Sequence, residues 1–310
     1  MLKPGAVAAV TLCLAMTGAA VTVSTQASPP PGSRLPTIYV LQDSGTITIF
    51  HGSRQTEISG PHTGMHSTVA LARQALGDLV VSNRELDGKP GSIVTLPTGE
   101  GDVQAKYILK CKGMTPWGIG LDADSNIWMT DYESDDVREY AATADGCPKP
   151  LAIISGAHTG LDLPENVAID RNGRIVVADY LNGVRIFAPS ANGDVAPVAT
   201  LTNAQVMNAH LEGMAIDRKN NIWVTSYADN AVLEFAAGAN GDAAPKRVIS
   251  GDKTLLSAPV GIALDRRTGE IYVAAYGARA VLVFSADANG NVAPVRQFAN
   301  GSFPFGVAVK

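Results

Sequence analysis

The 310-residue sequence has little charge of either sign and no basic excess. Charged residues make up 17% of the chain, apolar residues make up 46%, and the formal net charge is −5. Such a chain has no basic footprint with which to neutralise a phosphate backbone, so nucleic-acid binding is excluded. The low charge is instead typical of a protein in which most strand or helix faces are buried.

Several familiar catalytic motifs are also missing. The sequence contains no Gly-x-Ser-x-Gly elbow, no phosphate-binding glycine loop and no Cys/His cluster with zinc-ligand spacing. These absences exclude the catalytic classes that depend on those motifs. Any chemistry must therefore come from residues that the fold brings together.

A long apolar run occurs only at the amino terminus. Lys3 precedes small apolar residues from about position 5 to position 23, and the polar run Ser24-Thr25-Gln26 follows at once. One positive charge, a short apolar core and small residues at its end form a secretory signal pattern. The sequence predicts cleavage after Ala27, with Ala20 as the alternative.

Cleavage leaves a predicted leader and one domain. Residues 28–35 include three consecutive prolines and are expected to form a stiff, exposed polyproline segment. Residues 36–310 are enough for one domain and not for a second sizeable one. No apolar run long enough to span a bilayer remains, so we expect a secreted or periplasmic protein without a membrane span.

One pattern of residues occurs four times along the chain. Each copy has an apolar run that an aspartate closes, followed after a short polar turn by a second apolar run. The closing aspartates are 48, 47 and 48 residues apart, at Asp122, Asp170, Asp217 and Asp265. A period of this length with several short apolar runs per copy predicts a β-propeller. The aspartates head a turn in every copy, so we expect them to cap local N–H groups.

The copy that begins at residue 261 predicts four strands, which we letter a to d from the channel axis outwards. Strand a is predicted at 261–265, strand b at 270–275 and strand c at 280–285. Asn289-Gly290 is predicted to form a hairpin, after which strand d starts near Pro294.

The remaining sequence supplies two further blades. A weaker complete copy has predicted strands at 68–71, 78–81, 92–96 and 105–109. Strands b, c and d of another copy are predicted at 38–41, 46–50 and 56–58, and its strand a at 306–310. The predicted fold is therefore an all-β, six-bladed β-propeller of four-stranded antiparallel blades. Its ring closes when the C-terminal strand pairs with the three N-terminal strands, which removes exposed sheet edges.

The copy between Pro259 and Phe284 resembles the NHL repeat. It has the pattern Pro-x-Gly-Ile-Ala-x-Asp, then x-Gly-x-Ile-Tyr-Val-Ala, then x-Val-x-Val-Phe. The resemblance covers nearly the whole mature chain and implies a six-bladed propeller. The wider superfamily includes gluconolactonase-like lactonases, strictosidine-synthase-like proteins, virginiamycin B lyase, amidating lyases and modules that only bind. The resemblance thus implies a fold and no single activity.

An aromatic residue recurs directly after predicted strand b. Arg84 and Asp43 take this position in the two blades without an aromatic, and tyrosine takes it in the other four: Tyr132, Tyr180, Tyr227 and Tyr276. A ring of phenols can stack against a sugar or an aromatic ligand. Packing between blades is the alternative explanation.

The residue before the glycine of strand a varies from blade to blade. Strand a lines the central channel, so this position is predicted to lie at the channel mouth. Its residues are Ser67, Trp117, Glu165, Glu212, Val260 and Phe305. Trp117 and Phe305, with the four tyrosines, form the predicted ligand-binding set.

Acidic residues near the same mouth predict a cation site. Glu165 and Glu212 lie at the variable position, and Asp131 and Asp179 end strand b in neighbouring blades. Four converging carboxylates would form an oxygen-rich pocket suited to Ca²⁺ or Mg²⁺. The alternative is that these acids are merely solvated.

The resemblance to gluconolactonase-like enzymes implies roles for some of these residues. Those enzymes hold a metal with a Glu and an Asn from the starts of strands a and an Asp that ends a strand b. Glu165 and Glu212 occupy the Asn-type position here and Asp179 the Asp-type position, while the Asn-Gly pair of that family is absent from every strand a. The lyase branch uses His and Glu with a metal for proton abstraction, which implies His210 as a base. A polar loop residue is the alternative for His210.

Two other histidines repeat and are given a structural interpretation. His62 and His158 stand in matching places of the d–a connection, within Ser-Gly-x-His-Thr-Gly. Their repetition favours a role in that connection.

The two cysteines left after cleavage are predicted to be unpaired. An exported pair is usually a disulfide. In the repeat register, however, Cys147 falls at the c–d hairpin and Cys111 just past strand d, at opposite ends of a strand about six residues long. At about 3.3 Å per residue, roughly 20 Å would separate them, whereas a disulfide needs Cα atoms within about 7 Å.

These observations predict a secreted, monomeric propeller that binds a small ligand or a partner at the mouth of its channel. A divalent-metal-assisted lactonase or lyase at the same mouth is the first alternative. A scaffold for protein contacts through the outer loops is the second.

Overall fold

The computed structural model describes residues 35–299 and 301–310, so the predicted signal peptide and nearly all of the leader lie outside the described residues. The described part forms six four-stranded antiparallel sheets, which we number as blades I to VI. Two short 3-10 turns, Pro61–Thr63 and Asp252–Thr254, occur in the d–a connections. No helix in the described ranges is long and apolar enough to cross a membrane.

The strands have the following bounds. Blade I contains β24 (Pro304–Val309), β1 (Thr37–Gln42), β2 (Thr46–His51) and β3 (Arg54–Ile58). Blade II contains β4 (Thr68–Arg73), β5 (Leu79–Asn83), β6 (Ser92–Leu96) and β7 (Tyr107–Leu109). Blade III contains β8 (Pro116–Leu121), β9 (Ile127–Asp131), β10 (Asp136–Tyr140) and β11 (Ala152–Ile154). Blade IV contains β12 (Pro164–Ile169), β13 (Ile175–Asp179), β14 (Gly183–Phe187) and β15 (Ala199–Leu201). Blade V contains β16 (Met214–Ile216), β17 (Ile222–Ser226), β18 (Ala231–Phe235) and β19 (Arg247–Ile249). Blade VI contains β20 (Pro259–Leu264), β21 (Ile271–Ala275), β22 (Ala280–Phe284) and β23 (Arg296–Ala299).

The hydrophobic core lies between the blades. Strand b is buried along its whole length in blades II to VI, because each sheet is covered on both faces by its neighbours. One cluster, for example, packs Ile186 and Leu201 of blade IV against Val224 and Phe235 of blade V. This arrangement explains the low charge of the chain.

The inner strands surround a narrow channel. They contact one another in the order β24, β4, β8, β12, β16, β20 and back to β24. A Cβ atom at Gly261 would lie 2.7 Å from the carbonyl oxygen of Phe305 in the next blade. Glycine recurs in strand a because neighbouring backbones leave no room for a side chain there.

The split blade closes the ring as predicted. Strand β24 pairs antiparallel with β1, with Ile38 opposite Val309 and Leu41 opposite Gly306. Blade I is therefore built from both ends of the described chain, and the predicted six-bladed fold is confirmed.

The connections between strands c and d differ from the predicted hairpins. In blades II to VI each connection leaves its own sheet and lies against strand d of the preceding blade, and we call it a clamp loop. A parallel bridge marks each contact: Ile58 with Gly101, Leu109 with Gly146, Ile154 with Gly193, Leu201 with Gly241, and Ile249 with Gly290. The Asn of the Asn-Gly pair accepts a hydrogen bond from that strand, as Asn289 Oδ1 does from Val248 N at 3.1 Å. Asn-Gly therefore joins two blades here and does not form a two-residue turn.

The prediction of two free thiols is wrong. Cys111 and Cys147 form a disulfide with Cα atoms 5.0 Å apart. Strand β7 has only three residues, and the clamp loop of blade III folds back along it, so that Gly146 N donates to Ile108 O at 2.9 Å. The two cysteines thus lie side by side at the junction of blades II and III. At the junction of blades V and VI, Gly251 and Asn291 are the residues equivalent to Cys111 and Cys147. They are in close contact as well, because a Cβ atom on Gly251 would lie 2.6 Å from the side chain of Asn291.

The predicted structural role of His62 and His158 agrees with their contacts at the junctions between blades. His62 and His158 pair through Nδ1 with Asp102 and Asp194 of the following clamp loops, at 2.6 and 2.7 Å. Both histidines therefore belong to the contacts between neighbouring blades.

Removal of residues 306–310 should destabilise the protein strongly. Strand β1 would lose its inner partner together with the buried side chains of Val307 and Ala308. We expect a loss on the order of several kcal/mol in the free energy of unfolding, measured by urea denaturation. Removal of exposed Lys310 alone is the control and should have little effect. A truncated chain with the urea midpoint of the full chain would contradict closure by β24.

Replacement of both bridged cysteines by serine should also lower stability. The disulfide closes a separation of 36 residues, so its loss should cost about 2–4 kcal/mol. Urea denaturation of the oxidised wild type and the Cys111→Ser/Cys147→Ser variant measures this difference. Thiol titration of the unfolded, unreduced protein in a Cys13→Ser background should find no free thiol. Two free thiols would show that the clamp loop of blade III does not dock as described.

Candidate ligand site at the channel mouth

A β-bulge at the start of strand a builds the mouth of the channel. In blades II, IV, VI and I the register shifts there by one residue, which leaves Val69, Glu165, Val260 and Phe305 without a partner across the ladder. The shift in blade III includes Trp117. Bulges re-aim a side chain without ending the strand. We call the six equivalent residues the bulge ring: Val69, Trp117, Glu165, Glu212, Val260 and Phe305.

The register corrects one predicted member of this ring. Ser67 was predicted for blade II, but Thr68 pairs with Asn83 as Pro164 pairs with Asp179. Val69 is therefore the residue equivalent to Glu165. Val69, Glu212, Val260 and Phe305 together line a cavity of about 50 Å³ in the channel, enough for a few water molecules at most.

Hydroxyl groups of strand b hold the bulge ring in place. Ser82 donates to the carbonyl oxygen of Trp117 at 2.6 Å and Thr225 donates to that of Val260 at 3.0 Å. Thr130 makes the same contact with Glu165 O at 3.4 Å. A Ser or Thr one residue before the end of strand b thus fixes the backbone of the next blade at the ring. The side chains of the ring remain free to differ.

Asp131 and Asp179 lie near the mouth but are committed elsewhere. Both are fully buried. Asp131 accepts from Thr115 N and pairs with Arg138 at 3.0 Å, while Asp179 accepts from three backbone N–H groups, the shortest being Asp162 N at 2.7 Å. Their carboxylates hold the loops that enter strand a.

The structure therefore does not assemble all four predicted metal ligands in one place. Among the described residues, no group of three or more His, Cys, Asp or Glu side chains is placed to hold a metal ion. Glu165 and Glu212 are the two predicted ligands whose carboxylate oxygens accept no backbone hydrogen bond that would commit them. Two carboxylates would leave most of the coordination of Ca²⁺ or Mg²⁺ to water. Binding of either ion stays a prediction, and no reaction step is derived through it.

Glu165 and Glu212 are acids in an environment that disfavours their charge. Glu165 is 2% exposed, and its Oε2 has no hydrogen-bond partner among the described residues. Burial, followed by the charges of Glu212 and Asp179, raises the pKa of Glu165 well above its ordinary value. Burial also raises the pKa of Glu212 to about 7, although the hydrogen bond from Trp117 and the charge of Arg84 oppose the shift. Trp117 Nε1 donates to Glu212 Oε2 at 3.5 Å, which links the two residues across the mouth.

The recurring tyrosines have a shared backbone role and separate side-chain roles. In every blade the N–H that follows strand b donates to the carbonyl of the residue that leads into strand a, as Tyr227 N does to His210 O at 3.1 Å. The side chains then cover the mouth. Trp117 stacks on Tyr132 with centroids 5.0 Å apart, and His210 stacks on Tyr180 at 3.9 Å. We call these rings and their neighbours the aromatic wall: Trp117, Tyr132, Tyr180, His210, Tyr227, Tyr276, Phe303 and Phe305.

Sequence reasoning did not identify Phe303 as a member of the aromatic wall. Its centroid lies 4.8 Å from that of Tyr276, and Arg279 covers its other side at 4.2 Å. The repeat register could have placed Phe303 at the mouth, because it is equivalent to His210. The carbonyl oxygen of Phe303 accepts from Asp43 N as that of His210 accepts from Tyr227 N. Both residues lead into strand a of their blade.

His210 lies where the predicted base was expected, at the rim of the mouth. Its backbone has φ of +50°, a left-handed conformation that is uncommon outside glycine. Burial lowers the pKa of its imidazole, so the ring is neutral at neutral pH. Its stacking on Tyr180 places it in the aromatic wall, and its role as a base stays a prediction.

Comparison with known proteins supports the fold. No protein-family model matches the chain, and no curated protein matches its sequence. A streptogramin B lyase structure has a TM-score of 0.57 and 13% identity, over 92% of this chain and 96% of that one. The propeller in a nidogen/laminin complex has a TM-score of 0.65 and 14% identity, over 88% and 98%. A protein of unknown function from Bacteroides caccae has a TM-score of 0.63 and 11% identity, over 89% and 99%. At these identities the likeness establishes the propeller fold that the NHL resemblance implied.

The pKa of Glu212 predicts a stability difference that depends on pH. The folded-state pKa of about 7 lies above the ordinary value of 4.5, so the folded protein keeps this proton at a pH where the unfolded chain has lost it. The contribution of Glu212 to stability should therefore fall as pH rises from about 4.5 to about 7 and then stay level. Relative to Glu212→Gln, the wild type should lose on the order of 2 kcal/mol between pH 5 and pH 8. This figure already allows for screening by water in the channel.

Urea denaturation of both proteins across this range measures the difference. Glu133→Gln, which changes an exposed acid beside Tyr132, is the matched control. A difference for Glu212→Gln that does not change with pH would contradict the raised pKa of its carboxyl group.

Proposed function

We propose that this protein binds a small ligand with a flat or ring-shaped face at the mouth of its channel. The supporting observation is that the aromatic wall adjoins two acids of the bulge ring. Glu165 is buried, and partly buried Glu212 accepts a hydrogen bond from Trp117 Nε1. Stacking on Trp117 and Tyr132 would hold the face of the ligand. Hydroxyl or amine donors of the ligand would then meet the carboxyl oxygens of the two acids.

The unpartnered oxygen of Glu165 is the strongest single argument for a ligand. A buried polar atom without a partner costs about 1–3 kcal/mol, and structures rarely retain one without a reason. Blades II, VI and I place Val69, Val260 and Phe305 at the same position, so the propeller does not need an acid there. A ligand donor that reaches Glu165 would recover this cost on binding.

We also propose that the protein works outside the cytoplasm. The secretory signal pattern of residues 1–27 supports this location. The Cys111–Cys147 disulfide supports it as well, because such bonds persist in oxidising compartments.

Fluorescence of Trp117 should report ligand binding. Trp117 is partly exposed at the mouth, whereas Trp128 and Trp223 are 4% and 3% exposed. A panel of 4-nitrophenyl glycosides, each a sugar joined to a flat ring, supplies the probes. We expect saturable quenching that disappears in Trp117→Phe and persists in Trp128→Phe. Tyr132→Ala should weaken the affinity about threefold to tenfold, since it removes one stacking partner.

Two controls separate this proposal from its alternatives. Tyr107→Ala, on the outermost strand of blade II, should keep the wild-type affinity. Adding Ca²⁺ or Mg²⁺ should raise the melting temperature of the wild type and not of Glu165→Gln/Glu212→Gln if the acids bind a metal. An absence of saturable quenching across the panel contradicts the proposal, and a melting response to metal alone would favour the metal-assisted alternative.

A further inference from the structure

The face opposite the channel mouth carries a large groove across blades IV, V and VI. The groove encloses about 1260 Å³ and is lined by the a–b turns of these three blades and by strands b, c and d of blade V. Pockets for small ligands usually enclose about 300–1,000 Å³. This groove therefore has room for an extended ligand, and it is separate from the aromatic wall.

Basic side chains surround the groove. In three consecutive blades an arginine follows the turn aspartate directly, at Arg171, Arg218 and Arg266, and Lys219 adds a fourth cation. All four are exposed. The equivalent residue in blade III is Ala123. In a chain of net charge −5, this is a local concentration of positive charge.

The acids of the groove do not neutralise these cations. Asp217 accepts from Lys219 N and Asn221 N within its own turn, at 2.7 and 2.9 Å. Glu234 is 1% exposed and pairs with Lys246 and Arg247. In the described ranges no carboxylate forms an ion pair with the side chains of Arg218, Lys219 or Arg266. The cations are therefore available to an anionic ligand.

Two further groups of the groove wall lack partners and differ in kind. Trp223 is 3% exposed, and its indole Nε1 has no acceptor among the described residues. Asp265 is 6% exposed, and no donor in the described part of the chain reaches its Oδ2. The first needs an acceptor and the second a donor, and a hydroxyl group is both. The groove thus suits a ligand that carries hydroxyl groups as well as anionic groups.

We propose that this groove binds an acidic oligosaccharide, whose carboxylates pair with Arg171, Arg218 and Arg266. Its hydroxyl groups would serve Trp223 and Asp265. Guanidinium groups bind planar carboxylates with two parallel hydrogen bonds, and three arginines in successive blades provide repeated contacts for a repeating ligand. An acidic peptide would satisfy the arginines but would bring like charge to Asp265.

Calorimetric titration with oligogalacturonate tests the proposal. The wild type should bind it, and more weakly as salt is added, because the charges are exposed. Arg171→Gln/Arg218→Gln/Arg266→Gln should bind about tenfold more weakly, since three exposed ion pairs are lost together. Lys89→Gln/Lys112→Gln/Lys149→Gln removes the same charge from exposed sites of blades II and III and should keep the affinity. Trp223→Phe, which keeps a ring beneath Arg247 and removes the N–H, should weaken binding about threefold.

Each outcome decides the proposal. Methyl-esterified oligogalacturonate that binds as tightly as the acid would overturn the role of charge. Polyglutamate that binds as tightly as oligogalacturonate would overturn the sugar assignment in favour of an acidic peptide. No binding by the wild type at low salt would overturn the site. Melting temperatures of all variants show whether weaker binding reflects the groove or a loss of folding.

Discussion

Close contact between the backbones of the inner strands is the constraint on which the propeller depends. A side chain at Gly261 would collide with the carbonyl of Phe305, so neighbouring strands a can pack only where side chains are small or absent. At the channel mouth, a bulge turns large residues such as Val260 and Phe305 out of the ladder. Around the narrow channel there are thus six equivalent positions that carry four different kinds of side chain. The fold fixes these positions and leaves their chemistry open.

The acids near the mouth divide into two groups by their hydrogen bonds. Asp131 and Asp179 are buried and receive donors from the loops that they hold, so their carboxyl groups are part of the architecture. Glu165 and Glu212 lie at bulge positions where other blades carry apolar residues, and burial raises the pKa of both. A protein keeps such groups at a cost in stability. That cost is the physical basis of the proposal that a ligand binds at the mouth.

Sequence reasoning reached the fold because the repeat is local and the strand pattern returns every 47 or 48 residues. Trp117, Glu165 and Glu212 were found because strand a has the same register in their blades. The prediction for blade II was wrong by two residues, at Ser67 instead of Val69, because Val69 has neither the proline before it nor the glycine after it that mark this position in the other blades. The Cys111–Cys147 bond was missed for a different reason. It depends on a loop that leaves its own sheet, and counting along a repeat cannot show contacts between repeats.

The clamp loops all point the same way around the ring, and one of them is missing. Each loop fastens strand d of the blade before it, but the β2–β3 connection of blade I consists only of Gly52 and Ser53 and forms no such bridge in the described part of the chain. The boundary between blades VI and I is therefore a seam held by β24 instead of by a loop. Each of blades I to V thus receives its clamp loop from the blade that follows it in the chain, and blade I also takes its inner strand from residues 304–309. The ring therefore closes only when the last strand is in place.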